Sequence, residues 1–137
     1  MGRMMQTIVV DDLPQIVVAE EQFDALSDIA EGLTGVLPHV AGFLDRELNR
    51  ARLLPLAHVP SDVVKVNSTV EFTLDTRGER VERLKLAFPA ESTAGDGYVS
   101  IASPVGVALL GLREGQSIEW TSRYGERRSL KVLKVTG

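Results

Sequence analysis

The sequence predicts an α+β protein in which a short antiparallel helical hairpin precedes an antiparallel β-sheet domain with one short helix. Between residues 19 and 51, apolar side chains recur every three or four positions, as on one face of an α-helix. From Val63 onward they recur at every second position, as in strands that bury one face. Pro55 and Pro60 lie between the two patterns. They predict a junction that divides the chain into residues 1–54 and residues 55–137.

The N-terminal part begins with two short β-branched stretches, residues 7–10 and 15–18, which predict an extended lead-in. The segment AEEQFDALSDIAEGL then predicts a first helix, with two glutamates in the first turn, where the helix dipole favours acids. A glycine-containing turn follows, and Pro38 suits the first turn of a second helix that ends before Pro55. Helices of about 14–17 residues are only about 21–25 Å long, so the hairpin is short.

The C-terminal part alternates strands and turns. VVKVNSTVEFTL and RVERLKLAFP predict two strands joined at DTRGE, where Gly78 permits a tight reversal. In the second of these strands, Leu84, Leu86 and Phe88 share one face. ESTAGDG predicts an exposed loop before a third strand, YVSIAS. SIEWTS and RRSLKVLKV predict a final pair of strands across a turn that contains Gly125.

The segment SPVGVALLGL predicts the one short helix of this region. Ser103 can cap its N-terminus, Pro104 suits its first position, and Gly111 can end it. Its leucines predict core positions, and its glycines predict close packing or termination.

Composition excludes several classes of protein. The chain has no cysteine, so disulfides, thiolate metal sites and cysteine nucleophiles are excluded. No apolar run approaches the roughly 20 residues that span a bilayer. The first residues, MGRMMQTIVVDD, make a poor signal peptide. We therefore expect a cytoplasmic protein with no membrane partner.

Charge is unevenly distributed along the chain. Residues 1–54 hold four basic and nine acidic residues, a net charge of −5, whereas residues 55–137 hold eleven basic and ten acidic ones, a net charge of +1. An acidic N-terminal part repels phosphate backbones. We therefore expect no direct sequence-specific binding of nucleic acid, and a partner protein with a basic patch instead.

Patterns that carry catalytic chemistry are missing. His39 and His58 are the only histidines, and they predict solvent-exposed side chains rather than a metal site. The serines lack a G-x-S-x-G elbow, and the chain has neither a P-loop nor a dinucleotide-binding glycine motif. The sequence therefore predicts no catalytic residue, no metal and no cofactor, and a protein that is not an enzyme.

Two carboxylates near the predicted hairpin turn form the one acidic candidate site. Asp28 and Glu31 are three residues apart, hence on one side of the first helix. Paired carboxylates at such a tip could hold Mg²⁺ through oxygen atoms. The alternative is a solvated helix face.

The C-terminal half resembles the Gre/Rnk family, which comprises the Gre transcript-cleavage factors and Rnk, the regulator of nucleoside diphosphate kinase. The stretches that carry the resemblance are DVVKVNSTVEF, RLKLAFPAE, YVSIASPVGVALLGLREGQSIEW and RRSLKVLKV. The second helix, FLDRELNRARLL, and its junction are most similar to Rnk. The resemblance covers roughly residues 16–135 and implies an FK506-binding-protein-like (FKBP-like) C-terminal domain.

The resemblance also implies a function. In Gre factors a long antiparallel coiled coil enters the secondary channel of RNA polymerase, and the globular domain docks at the channel rim. By resemblance, we expect this chain to dock there through Ser103, Pro104, Val105 and Gly106 and to compete with Gre-type factors. Its hairpin is several turns shorter, as in Rnk, so we expect no transcript cleavage.

Three alternatives stay open. One is a Gre-like cleavage stimulator that uses Asp28 and Glu31. In Gre factors, acids at the tip of the coiled coil help to hold catalytic Mg²⁺, and these two residues match that tip by location only. Another is an influence on nucleoside diphosphate kinase, which the Rnk resemblance implies. The third, a prolyl isomerase, rests on fold analogy alone, and a chain with 5% aromatic residues has few side chains to line such a pocket.

Overall fold

The computed structural model of the chain describes residues 13–75, 80–92 and 96–137. Its helices are α1 (Glu20–Leu33), α2 (Pro38–Arg50), α3 (Pro89–Ser92) and α4 (Pro104–Leu109), and a 3-10 turn covers Leu56–His58. Its strands are β1 (Val17–Ala19), β2 (Arg52–Leu54), β3 (Thr69–Leu74), β4 (Glu82–Ala87), β5 (Tyr98–Ser100), β6 (Ser117–Thr121) and β7 (Arg127–Thr136). Three predicted features, the extended residues 7–10, the turn at Gly78 and residues 93–95 of the ESTAGDG loop, lie outside the described residues.

The helical hairpin confirms the first half of the predicted fold. Helix α1 buries Leu26 and Ala30, which lie four residues apart, so its apolar stripe faces inward. Helix α2 begins at Pro38, whose fixed φ angle suits the first turn, and it buries a wider apolar face. The first turn of α1 is hydrogen-bonded to the 3-10 turn that follows β2: Glu21 Oε1 accepts a hydrogen bond from the Leu56 backbone N–H at 2.7 Å.

A two-stranded parallel sheet, β1 with β2, closes the base of the hairpin. Val17 pairs with Arg52, and Ala19 pairs with Leu54. The Val17 N–H donates to the carbonyl of Gly111 at 3.2 Å, so this small sheet also contacts the end of α4. The sequence predicted the extended lead-in, but its prediction that the second helix continues to Pro55 is wrong: α2 ends at Arg50, and residues 52–54 form β2. Three residues are too few to show a strand period.

The second half is a five-stranded sheet in the order β5-β4-β3-β7-β6. The predicted antiparallel sheet is correct for three of its four strand pairs, but β5 runs parallel to β4, so the sheet is mixed. Parallel neighbours need a crossover connection, and the ten residues between β4 and β5 include α3. The sequence did not predict this helix: it placed Pro89 at the end of the second strand and Glu91 and Ser92 in the loop.

The predicted strand from Val63 begins only at Thr69. Asn67 has a φ angle of 87°, which breaks the extended backbone. The preceding residues bond elsewhere: the Val64 N–H donates to Leu112, and the Gly111 N–H donates to Val64. Residues 63–68 therefore join the end of α4 to the sheet instead of lengthening β3.

One hydrophobic core spans both halves of the chain. Leu26 and Phe43 of the hairpin belong to the same buried cluster as Phe72, Leu109 and Trp120 of the sheet domain. The domain boundary predicted at residues 54 and 55 falls just after β2, and the core is continuous across it. A division into separate domains therefore stays a prediction. Within the described parts of the chain, no helix is long and apolar enough to cross a membrane.

Candidate functional site

The start of α4 is built as the sequence predicted. Ser103 has an extended backbone, with φ −136° and ψ 156°, and its Oγ accepts a hydrogen bond from the Gly106 N–H at 3.1 Å. The same hydroxyl donates to the carbonyl of Ser100 at 2.6 Å. Pro104 occupies the first turn, where its missing N–H costs no hydrogen bond. Ser103 therefore caps the helix and ties it to the end of β5.

Gly106 has a packing role. It is buried, and a Cβ atom added to it would lie 2.0 Å from the carbonyl oxygen of Ser100. The backbone of α4 and the end of β5 therefore approach more closely than any side chain allows. Of the four residues predicted to bind a partner, Ser103, Pro104 and Val105 are partly exposed, whereas Gly106 is not.

A cleft of about 370 Å³ adjoins Pro104. One wall is the tip of the hairpin, residues 36–40, and the other is formed by the β6–β7 turn and Arg128. Its rim carries two strongly exposed side chains, Val36 at 73% and Tyr124 at 79%. Exposed apolar and aromatic side chains beside a concave surface are typical of binding sites. We call this site the Pro104 cleft. The sequence did not predict it, because the residues of its two walls are far apart in the chain.

His39 holds the hairpin tip against the sheet. Its Nε2 lies 2.9 Å from the backbone oxygen of Thr121, and it donates this hydrogen bond because a carbonyl can only accept. The His39 side chain is only partly exposed, less than the sequence predicted, whereas His58 is exposed as predicted. The tertiary contact with β6 accounts for the difference.

Aromatic stacking and cation–π contacts hold α2 against the sheet. The Phe43 and Trp120 rings stack at a centroid distance of 6.1 Å. Each ring also contacts a guanidinium group: Arg46 lies 5.9 Å from the centre of the Phe43 ring, and Arg128 lies 6.0 Å from the centre of the Trp120 ring. Arg128 in turn forms an ion pair with Asp75 at 2.9 Å. This hydrogen-bonded carboxylate raises the pKa of Arg128 above its ordinary value, so the guanidinium stays charged.

The hairpin acids lie outside the Pro104 cleft. Asp28 and Glu31 are both exposed on α1, as expected for their place near the turn. Glu31 faces a groove between the two helices that Asp45 also lines, and Asp28 does not contribute to that groove. Among the described residues, no group of three or more histidine, aspartate or glutamate side chains could hold a metal ion. In the described part of the chain, Asp28 and Glu31 are therefore exposed acids without a third ligand.

Comparison with known proteins assigns the family. Residues 59–137 match the family described as transcription elongation factor, GreA/GreB, C-terminal. The chain belongs to the GreA/GreB family. A relative from Escherichia coli strain K12, named regulator of nucleoside diphosphate kinase, is 37% identical over 129 residues, which are 94% of this chain and 88% of the relative. The predicted Gre/Rnk resemblance is therefore confirmed.

Two further comparisons support the GreA/GreB family assignment. The transcription elongation factor GreA of Azorhizobium caulinodans is 33% identical over 93 residues, which are 67% of this chain and 57% of that factor. The solved structure of a GreA/GreB elongation factor from Nitrosomonas europaea superposes with a TM-score of 0.70 at 31% identity. The match covers 90% of this chain and 99% of that one, so the helical hairpin followed by a β-domain is a shared fold. Family membership supports a regulator of the transcription-elongation-factor type.

Proposed function

We propose that this protein is a cytoplasmic regulator that binds RNA polymerase at the rim of the secondary channel and competes there with Gre-type factors. It acts without a cofactor and does not stimulate transcript cleavage. The observation that carries the proposal is the match of residues 59–137 to the GreA/GreB C-terminal family, combined with a hairpin of only 14 and 13 residues.

The docking surface in this proposal is the start of α4 together with the Pro104 cleft. Ser103, Pro104 and Val105 are partly exposed there, and Val36 and Tyr124 add exposed apolar and aromatic area. Interfaces use such side chains as anchors, because their burial supplies most of the binding free energy. Gly106 contributes indirectly, since it lets α4 lie close against β5.

Two features argue against transcript cleavage. At about 1.5 Å per residue, α1 is only about 21 Å long, so its acids reach a short distance from the domain. The hairpin is also bonded to the sheet by His39 and by the stacked Phe43 and Trp120 rings. A carboxylate that does not reach the reacting phosphate cannot hold a metal ion there.

The test is capture of core RNA polymerase by the full chain, with and without a competing Gre factor. We expect binding that the Gre factor displaces. Pro104→Glu should weaken capture at least tenfold, because it places a charge on the docking surface while glutamate still suits the first turn of a helix. Val81→Glu, a matched change at a side chain that is 49% exposed away from the cleft, should leave capture unchanged. Equal capture of both variants would contradict the docking surface.

A second candidate is a Gre-like cleavage stimulator, which is favoured by the exposure of Asp28 and Glu31 close to the hairpin turn. Addition of the wild-type chain to backtracked polymerase complexes would then increase RNA cleavage, and Asp28→Asn with Glu31→Gln would abolish the increase. We expect no increase with either protein.

The name of the Escherichia coli relative suggests a third candidate, an influence on nucleoside diphosphate kinase. Kinase activity in cell extracts with and without the purified chain tests it. This effect and polymerase binding can be measured independently.

A further inference from the structure

The outer face of the five-stranded sheet carries a group of basic side chains. The inner face packs on the core through Val70, Leu86 and Leu130, so the alternate residues point away from it. These outward residues include Arg83 and Lys85 on β4 and Arg127, Lys131 and Lys134 on β7. With Glu71 and Glu119 they give a net charge of +3 on a chain whose total is −4. We call this surface the basic face.

Most of these cations are available to a ligand. Arg83 lies 3.6 Å from Glu71 across the β3–β4 pair. Within the described residues, Lys85, Arg127, Lys131 and Lys134 make no ion pair, and the three on β7 are exposed. Four cations that have no carboxylate partner among the described residues, all on one sheet surface, attract a polyanion.

Hydroxyl groups lie between the cations. Thr69 pairs with Lys85 and with Thr136, and Lys131 pairs with Thr73 and with Ser117. Neighbouring strands are about 4.8 Å apart, so a hydroxyl lies beside each of these lysines. Lysine donates to phosphate oxygens, and a threonine or serine hydroxyl can bond both a phosphate oxygen and a ribose 2′-hydroxyl.

The edge of the basic face carries one aromatic ring. Tyr98 on β5 pairs with Lys85 and is partly exposed. A ring beside a lysine can stack on a base while the lysine bonds the adjacent phosphate. The outward positions hold few other large apolar groups, with Leu133 at the β7 bulge exposed by 40%. Protein interfaces need buried apolar anchors, so this composition favours a nucleic acid over an acidic protein surface.

We propose that the basic face binds single-stranded RNA without sequence preference, through its phosphates and 2′-hydroxyls. The choice of RNA over DNA rests on the proposed function, because a factor docked on RNA polymerase lies close to the transcript. The acidic α1 has no basic residue in its last turn and repels the same ligand, so the strand is confined to the sheet. The proposal agrees with the expected absence of sequence-specific binding, since it uses no contact with base edges.

The experiment is fluorescence anisotropy of a labelled single-stranded RNA of about 12 nucleotides with the purified full chain, in a salt series and without polymerase. We expect weak, sequence-independent binding whose logarithmic salt slope is about −3, because four phosphate contacts on a single strand contribute about −0.7 each. The double variant Lys131→Glu with Lys134→Glu should bind at least tenfold more weakly and halve that slope. The matched control, Arg52→Glu with Arg113→Glu, makes the same charge change outside the basic face, where both residues are exposed, and should bind like wild type.

Several results would overturn the proposal. No binding by the wild-type chain at roughly 100 μM protein and low salt would do so, since non-specific sites commonly bind in that range. So would equal losses in the two double variants, equal affinity for DNA of the same sequence, or displacement of RNA by polyglutamate of matched charge. The RNA measurement contains no polymerase, so its failure is separate from that of polymerase capture. The Lys131→Glu, Lys134→Glu variant should still capture polymerase.

Discussion

At the scale of single residues, Gly106 and Ser103 decide where α4 lies. The carbonyl of Ser100 is 2.0 Å from the position of a Cβ at Gly106 and accepts the Ser103 hydroxyl at 2.6 Å. Both contacts bring the first turn of α4 onto the end of β5. The proposed docking uses this surface. The contribution of each residue to the free energy of unfolding can be measured without polymerase, and hence separately from binding.

Gly106→Ala should destabilise the fold by at least about 2 kcal/mol, because the new methyl group meets backbone that cannot move without shifting β5. Urea unfolding measures the change. Gly42→Ala is the matched control: its nearest neighbour is the flexible end of Arg46 at 3.6 Å, so we expect an unchanged or slightly higher stability from helix propensity. A cost for Gly106→Ala no larger than that of Gly42→Ala would contradict the close approach.

Ser103→Ala should cost about 1 kcal/mol, because the Gly106 N–H loses its acceptor and the Ser100 carbonyl loses its donor. Ser103→Thr keeps the hydroxyl and should retain most of the stability in the same urea titration. If the two variants are equally stable, the cap does not hold the helix.

At the scale of elements, an ion pair in the last turn of α2 holds the segment that precedes β1. Glu47 is only 3% exposed, and it accepts hydrogen bonds from Arg50 at 3.0 and 2.8 Å. Arg50 also donates to the carbonyl of Pro14, just before the lead-in strand. The pair therefore links the last turn of the hairpin to the segment that leads into β1.

Arg50→Met should destabilise the protein by about 3 kcal/mol, because it leaves the Glu47 carboxylate buried without a partner. This loss is at the lower end of the range usual for breaking a buried ion pair, because the Arg50 side chain is 23% exposed and water can partly replace it. Adding Glu47→Met should recover part of the loss. A double-mutant cycle by urea unfolding measures both effects, and strictly additive losses would show that the two side chains do not interact.

At the scale of the whole molecule, the hairpin and the sheet share one core. Phe43 stacks on Trp120, and Gln22 forms two hydrogen bonds, at 3.2 and 3.3 Å, with the backbone of Val66. Contacts of this kind couple the two predicted parts, residues 1–54 and 55–137. If one part unfolds, the other loses the buried contacts that the two share.

We therefore expect a single cooperative unfolding transition. Trp120 fluorescence reports the packing of α2 on the sheet, and far-UV circular dichroism reports the helices, so their midpoints in urea should coincide. Two separated midpoints would show that the hairpin unfolds on its own, as the predicted domain division implies.

The sequence by itself determined the local features: two amphipathic helices, the Ser103 cap with Pro104, the alternating strands and the family resemblance. Each depends on residues within one or two turns of one another, where periodicity and capping act. Asp28 and Glu31 lie on α1 before the turn, and the role expected for them stays a prediction.

Only the tertiary structure decided how these elements meet. The pairing of β1 with β2, the parallel β5, the partly buried His39 and the Pro104 cleft all join segments that are distant in the chain. The basic face likewise depends on strand register. Arg83 and Lys134 lie in one row because each stands opposite Glu71 on a neighbouring strand. Local patterns show which face of an element is apolar. They do not show which distant partner covers it, because that choice follows from side-chain packing across the whole core.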